Sequence, residues 1–271
     1  MTSDPSPHAN SKAVALSIAG SDCSAGAGIQ ADLKTFHRLG VHGLTAVTSV
    51  VSETPLEVRQ IETVAVSLLQ SQVKILLETY PIGAIKTGML PTRPIIIAVC
   101  ELLKQVGVPI ITDPVMVASS GPSLIQDDAS IALASRLLPM TTLVTPNMPE
   151  ASLLLGRKIL AAEELETAAR EISEKFQTSC LLKGGHLPGT DDKLDVLWHE
   201  GRAHHFSHPD AGIGEGVHGT GCALSSAITA EIALGRPIET AVANGIELIQ
   251  QLITESDVWN HHGKSVRCLG W

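Results

Sequence analysis

Short, almost unbroken apolar runs alternate along the chain with longer stretches whose apolar residues recur every three or four positions. That alternation predicts strands and helices in turn. Ala13-Val14-Ala15-Leu16-Ser17-Ile18-Ala19 predicts a buried strand, which breaks into the small-residue loop from Gly20 to Gly28. Ile29 to Leu39 then predicts a helix, with Ile29, Leu33 and Phe36 on one face and Gly40 as its stop. Further strands are expected at 44–51, 82–85, 108–112, 141–145 and 179–182. Helices are expected at 64–80, 94–105, 127–138, 150–155 and 162–176. Residues 193–207 read as a two-stranded hairpin turning at Glu200-Gly201, and 117–122 as a flap. An alanine-rich helix runs through Ala223 to Leu234 and stops at Gly235, before a last helix at 237–253.

Strands this apolar, spaced by helices, imply an α/β fold: a mainly parallel central sheet with helices on both faces. No linker or repeat divides the chain. One domain is expected over 13–257, between a disordered N-terminal tail (1–12) and a C-terminal tail (258–271). Of the 271 residues, 44% are hydrophobic and only 3% aromatic, which suits helices packed closely on a sheet. The net charge of −9 argues against nucleic acid, whose phosphates require a basic surface. No apolar run approaches the length of a membrane span, and no signal peptide is read at the start. Five cysteines without a C-x-x-C pair point to reduced thiols in a cytoplasm.

In such sheets ligands gather beyond the carboxyl ends of the strands. Asp22, Glu53, Lys86, Asp113, Asn147, Glu150 and Lys183 all fall there. The other concentration of chemistry is the stretch from Gly214 to Leu224, which ends in His218-Gly219-Thr220-Gly221-Cys222 and runs into the alanine-rich helix. Glycines before a helix let free N–H groups converge, with the positive end of the helix dipole behind them, and this suits a phosphoryl group. A thiolate at Cys222 is favoured at the same place. The letters G-x-G-x-x-G at 214–219 follow no buried strand, so a dinucleotide fingerprint is rejected. The pattern G-x-x-x-x-G-K-[ST] fails because Cys222 stands where lysine is needed.

Six segments in order carry a resemblance. They are Ala19-Gly20-Ser21-Asp22 with Ser24 to Asp32, Lys86-Thr87-Gly88-Met89-Leu90, Asp113-Pro114-Val115-Met116, Thr145-Pro146-Asn147-Met148-Pro149-Glu150, Lys183-Gly184-Gly185-His186 and His218 to Cys222. Together they resemble the hydroxymethylpyrimidine/phosphomethylpyrimidine kinases of thiamin biosynthesis, in the ribokinase-like fold. The resemblance implies ATP- and Mg²⁺-dependent phosphorylation of a hydroxymethylpyrimidine and of its monophosphate. It implies Cys222 as catalytic base, with Gly219, Thr220 and Gly221 holding the moving phosphoryl group. Lys183, Asn147 and Thr220 would bind ATP, and Glu150 and Asp113 the metal. Gly20, Asp32, Glu53, Met89 and Val115 would form the pyrimidine pocket. The expected partner is this small molecule, and the expected assembly a homodimer.

Three positions depart from the family. Glu53 replaces a glutamine, Ser119 a lysine of the flap, and Cys23 a proline. The alternatives are a vitamin B6 kinase of the same fold, a cysteine hydrolase using Cys222 and His218, and a homologue that binds without chemistry. His204, His205 and His208 read as an exposed hairpin edge rather than a metal site.

Overall fold

A computed structural model describes residues 11–116, 127–184, 192–209 and 217–271. The chain runs β1 (Val14–Asp22), α1 (Gly28–Arg38), β2 (His42–Thr54), β3 (Glu57–Thr63), α2 (Val66–Thr79), β4 (Ile82–Thr87), α3 (Arg93–Leu103) and β5 (Ile110–Thr112). It continues with α4 (Asp127–Ala132), β6 (Leu143–Val144), α5 (Met148–Leu155), α6 (Leu165–Phe176), β7 (Ser179–Lys183), β8 (Asp192–His199) and β9 (Arg202–Pro209). Then come α7 (Thr220–Ala233), α8 (Ile238–Thr254), β10 (Asp257–His261) and β11 (Lys264–Cys268). The expected N-terminal tail (its first ten residues), the flap and Ser119, Gly185-His186 and Gly214 to Gly216 lie outside the described residues.

Among the described residues nine strands form one sheet in the order β3-β2-β1-β4-β5-β6-β7-β8-β9. Its centre, from β2 to β7, is parallel, and β3, β8 and β9 add antiparallel margins. The unbroken apolar runs follow from burial on both faces. Within single strands Ile110, Val144 and Leu182 join one core, while their neighbours Ile111, Leu143 and Leu181 join another. The first core packs under α2, α3 and α6, and the second under α7 and α8. On α1, Ile29 and Phe36 are buried as expected, but Leu33 is 38% exposed.

Two features were not read in the sequence. Strand β3 is a half-polar edge strand, so it lacks the apolar run that marked its neighbours. The segment taken as a C-terminal tail is the β10–β11 hairpin. It turns at His262-Gly263, both with positive φ, the geometry that suits strand twist in a two-residue turn. Beyond it Leu269 is 1% exposed, and the Gly270 N–H donates to Leu252 O at 3.0 Å. The hairpin also braces the glycine nest, since the His218 N–H donates to Arg267 O at 3.3 Å.

Candidate active site

The ends of β1, β4, β5, β6 and β7 share one edge, and each delivers residues there. At the end of β1 the chain turns back over itself around a single carboxylate. Asp22 accepts from the N–H groups of Ser24 (2.7 Å), Gly26 (3.1 Å) and Ala27 (2.8 Å), and from the Ser24 hydroxyl (2.9 Å). His218 Nε2 lies 3.1 Å from the same carboxylate, tying this loop to the glycine nest. Burial would raise the acid's pKa, but His218, Ser24 and the backbone donors together bring it down to about 2. Because the folded value is depressed from 3.8, Asp22 stabilises the fold above pH 4, and that contribution disappears as pH falls toward 2. The stability gap between wild type and Asp22→Asn should therefore shrink by about 2 kcal/mol between pH 5 and pH 2. Urea unfolding at a series of pH values measures it, and a constant gap would reject the assignment.

The two loops then meet backbone to backbone. Gly219 has φ +86°, and a Cβ there would run into the carbonyl oxygen of Gly26. Gly219 is the N-cap of α7 and Ala27 that of α1, and neither helix start has a side-chain cap. Both helix starts therefore leave first-turn N–H groups uncapped by side chains. The Gly28 N–H, the first of α1, points at the sulfur of Cys222 on the first turn of α7. One expectation is reversed at this cysteine. A helix start favours a thiolate, yet withdrawal from water dominates and pushes the thiol up to about 11. Lys86 pulls it down, while Asp32 and Asp113 push it further up.

On the other side of the nest Lys183 Nζ lies 3.3 Å from Asp113 Oδ1. A Cβ built on Gly221 would sit 3.4 Å from that ammonium and 3.7 Å from Asp113 Oδ2. Asn147 and Glu150 form a reciprocal cap on α5. Asn147 Oδ1 accepts from the Glu150 N–H, and Glu150 Oε2 from the Asn147 N–H, both at 2.9 Å. Glu150 is 3% exposed. Burial raises its pKa to about 7, against the pull of Lys183 and with a further push from Asp113.

The residues expected in the pyrimidine pocket do not all stand alike. A Cβ at Gly20 would lie 3.0 Å from Ser49 Oγ and 3.4 Å from Met89 Sδ, so Gly20 and Met89 share a wall. Val115 follows β5, two residues past Asp113. Glu53, near the end of β2, is half-buried beside Asp22 and His218, and Cys23 Sγ donates to its carbonyl oxygen at 3.3 Å. Asp32 has no free face. It is wholly buried and accepts from Lys86 Nζ (2.6 Å), Ser17 Oγ (2.5 Å) and Ser226 Oγ (2.7 Å).

Lys86 and Asp22 were visible as polar residues at strand ends but no role was read for them, and His218 was given one only in the hydrolase alternative, where it would pair with Cys222 and not with Asp22. Pairings that span 54 or 196 positions leave no local signal. His208 is corrected in the same way. It is not an exposed edge residue: its side chain is 12% exposed, with Nε2 3.3 Å from Asp195 Oδ2. Asp195 also accepts from the Gly184 N–H at 2.9 Å, so the pair braces the chain just after Lys183. Among the described residues no group of three or more His, Cys, Asp or Glu side chains could hold a metal ion by itself. No described helix is long and apolar enough to cross a membrane.

The sequence profile of the phosphomethylpyrimidine kinase family matches residues 22–266. A hydroxymethylpyrimidine/phosphomethylpyrimidine kinase of Rhizobium meliloti is 39% identical over 248 residues, covering 90% of this chain and 92% of that one. A Schizosaccharomyces pombe protein named for the same activity is 40% identical over 92% of this chain, which spans 48% of that longer protein. Among solved structures, phosphomethylpyrimidine kinase of Clostridium difficile superposes with a TM-score of 0.78 at 34% identity, over 88% of this chain and 98% of that one. The ADP complex of Bacillus subtilis pyridoxal kinase superposes with a TM-score of 0.86 at 32% identity, over 96% and 97% of the two chains.

Proposed function

The chain belongs to the phosphomethylpyrimidine kinase family, and on that premise we propose how its residues divide the work of an ATP-dependent pyrimidine kinase. The γ-phosphoryl group passes to the hydroxymethyl oxygen of an aminopyrimidine, and in a second reaction to the phosphate of the monophosphate. The observation that carries this reading is the convergence of two uncapped helix starts, α1 and α7, on Cys222, with Lys183 against the same turn. The N–H groups of Thr220, Gly221 and Cys222 face charge that grows on the equatorial oxygens in transfer. Lys183 holds the nucleotide phosphates, as a point charge already balanced by Asp113. In its ionised form the Cys222 sulfur takes the hydroxyl proton as the new P–O bond forms and the bond to ADP breaks.

Two acids beside a phosphate site suit Mg²⁺, which binds through one or two carboxylates and retains several waters. Asp113 and Glu150 would hold it, and the ion would neutralise phosphate charge during transfer. Glu150 must be ionised to do so, and below pH 7 the metal has to displace its proton. Magnesium affinity, measured by calorimetry with a non-hydrolysable ATP analogue, should therefore weaken about threefold from pH 7.5 to pH 6.5. Glu150→Gln should abolish that pH dependence, and an unchanged slope in the variant would exclude Glu150 as a ligand.

Pyridoxal kinase activity is a second reading, favoured by the close superposition on the Bacillus subtilis enzyme over nearly the whole chain. The phosphate-handling residues would serve either acceptor, so the ring decides. ADP release with hydroxymethylpyrimidine, its monophosphate and pyridoxal as acceptors separates the two. Release with either pyrimidine and little with pyridoxal supports the first reading, and release with pyridoxal alone overturns it. The five free thiols fit a cytoplasmic enzyme. The expected homodimer is tested by sedimentation.

A further inference from the structure

Lys86 is the largest charged side chain with no exposure at all. An ammonium has three donors, and among the described residues Lys86 makes a single hydrogen bond, to Asp32 Oδ1 at 2.6 Å. Two of its N–H groups have no protein partner among the described residues, although the side chain is fully buried. A buried ion pair is costly to desolvate and weak evidence of stability, so the fold by itself gives little reason to keep one.

Its position supplies a reason. Ser226, which donates to the same Asp32 oxygen at 2.7 Å, stands one helical turn after Cys222 on α7. Asp32 stands one turn after Gly28 on α1, and the Gly28 N–H points at the Cys222 sulfur. The Lys86–Asp32 pair is thus held between α1 and α7, one helical turn in from Gly28 and from Cys222. Gly88 leaves it room, since a Cβ there would come within 3.3 Å of Nζ.

We propose that Lys86, fixed by Asp32, is the buried counter-cation that allows Cys222 to give up its proton. It is a positioning residue that acts through the sulfur without touching the substrate. The inference deepens the reading of Cys222 as base and rests on that reading for its catalytic meaning. The charged groups around the sulfur are Lys86 from β4, Asp32 from α1, Asp113 after β5 and Lys183 at the end of β7. Of these Lys86 has the largest influence, and its sign favours the thiolate.

The test reads the sulfur, not turnover. Iodoacetamide labelling of Cys222, followed by peptide mass spectrometry, is timed at pH 8.5, well below the thiol's midpoint. There the rate is proportional to the thiolate fraction, so one unit of pKa appears as a tenfold change. Lys86→Met should label Cys222 at least about tenfold more slowly than wild type. ATP KM should stay within about twofold, because the phosphate-binding groups are untouched. A merely structural role predicts the opposite, since a loosened site exposes the sulfur and speeds labelling. If the unpaired Asp32 prevents Lys86→Met from folding, Lys86→Met/Asp32→Asn removes both charges and carries the test. Its labelling should still slow, because the cation outweighs the anion at this sulfur. Labelling at or above the wild-type rate in a folded variant overturns the proposal. A Cys222→Ala enzyme of undiminished turnover would reject only the base, and the labelling result would stand apart from it.

Discussion

Cys222→Ala is expected to lose about 10²–10⁴ in turnover on the hydroxymethyl substrate, the usual size of a general-base contribution. The alcohol proton has to leave as its oxygen attacks, and the Cys222 sulfur stands where the two helix starts meet. The second reaction should respond differently. Its acceptor is a phosphate whose second pKa is about 6, so the attacking oxygen is already deprotonated at pH 8. The same variant should then keep most of its turnover on the monophosphate. Nucleotide affinity should barely change in either case, since Lys183 and the nest N–H groups remain. Cys222→Asp should retain more of the first activity than Cys222→Ala, because a carboxylate also accepts a proton. Steady-state rates with the two acceptors measure all of this. Equal losses on both would mean that the cysteine shapes the nest instead of taking a proton.

Glu53→Gln is expected to raise kcat/KM for hydroxymethylpyrimidine at pH 8 by about tenfold or more, equivalent to roughly 1.4 kcal/mol. A carboxamide accepts from an exocyclic amino group while donating to the neighbouring ring nitrogen, whereas an ionised carboxylate only accepts. Facing that nitrogen, the carboxylate leaves an unpaired contact costing about 1–3 kcal/mol. The surroundings of Glu53 point to how wild type avoids part of this cost. Burial, and then the charge of Asp22, raise its pKa, with a smaller opposing pull from His218. A protonated acid has one donor and one acceptor, as an amide does. Lowering the pH should therefore improve wild-type kcat/KM relative to Glu53→Gln, and the two should converge as Glu53 takes up its proton. Asp22, at about 2, stays ionised throughout and keeps its push on Glu53. If the ratio of the two enzymes is flat from pH 6 to pH 9, Glu53 does not meet the ring. A ratio that favours wild type with pyridoxal would instead assign Glu53 to the vitamin B6 reading.

The alternation of apolar runs was enough to place nearly every central strand and helix, because burial on both faces of a parallel sheet favours apolar residues through most of a strand. Glycine placement was equally informative. Gly219 and Gly28 occupy positive φ, Gly219 where the two loops touch backbone to backbone and Gly28 where its own loop folds back on Gly20, and only glycine fits at either. The margins were less legible. Strand β3 and the β10–β11 hairpin are half-exposed and polar, so although each pairs with its neighbour in sequence they lack the apolar run that marks a buried strand. Within the site, residue types and strand-end positions alone marked out Asp22, Lys86, Asp113, Glu150 and Lys183. Position alone did not mark their roles, and the family resemblance supplied them only for Asp113, Glu150 and Lys183. Asp32 was expected to face the substrate, yet its carboxylate is enclosed by Lys86, Ser17 and Ser226, gathered from three other elements. Cys222 was expected to favour the thiolate from its helix start alone, and the desolvation that outweighs the dipole exists only once α1, α7 and the sheet close over it. The sequence by itself determined which side chains are available and which local conformations they adopt, since propensity and periodicity act over a few residues. Which charges are neighbours, and how much water each one loses, depends on contacts across as many as 196 positions, and only the tertiary structure decided those.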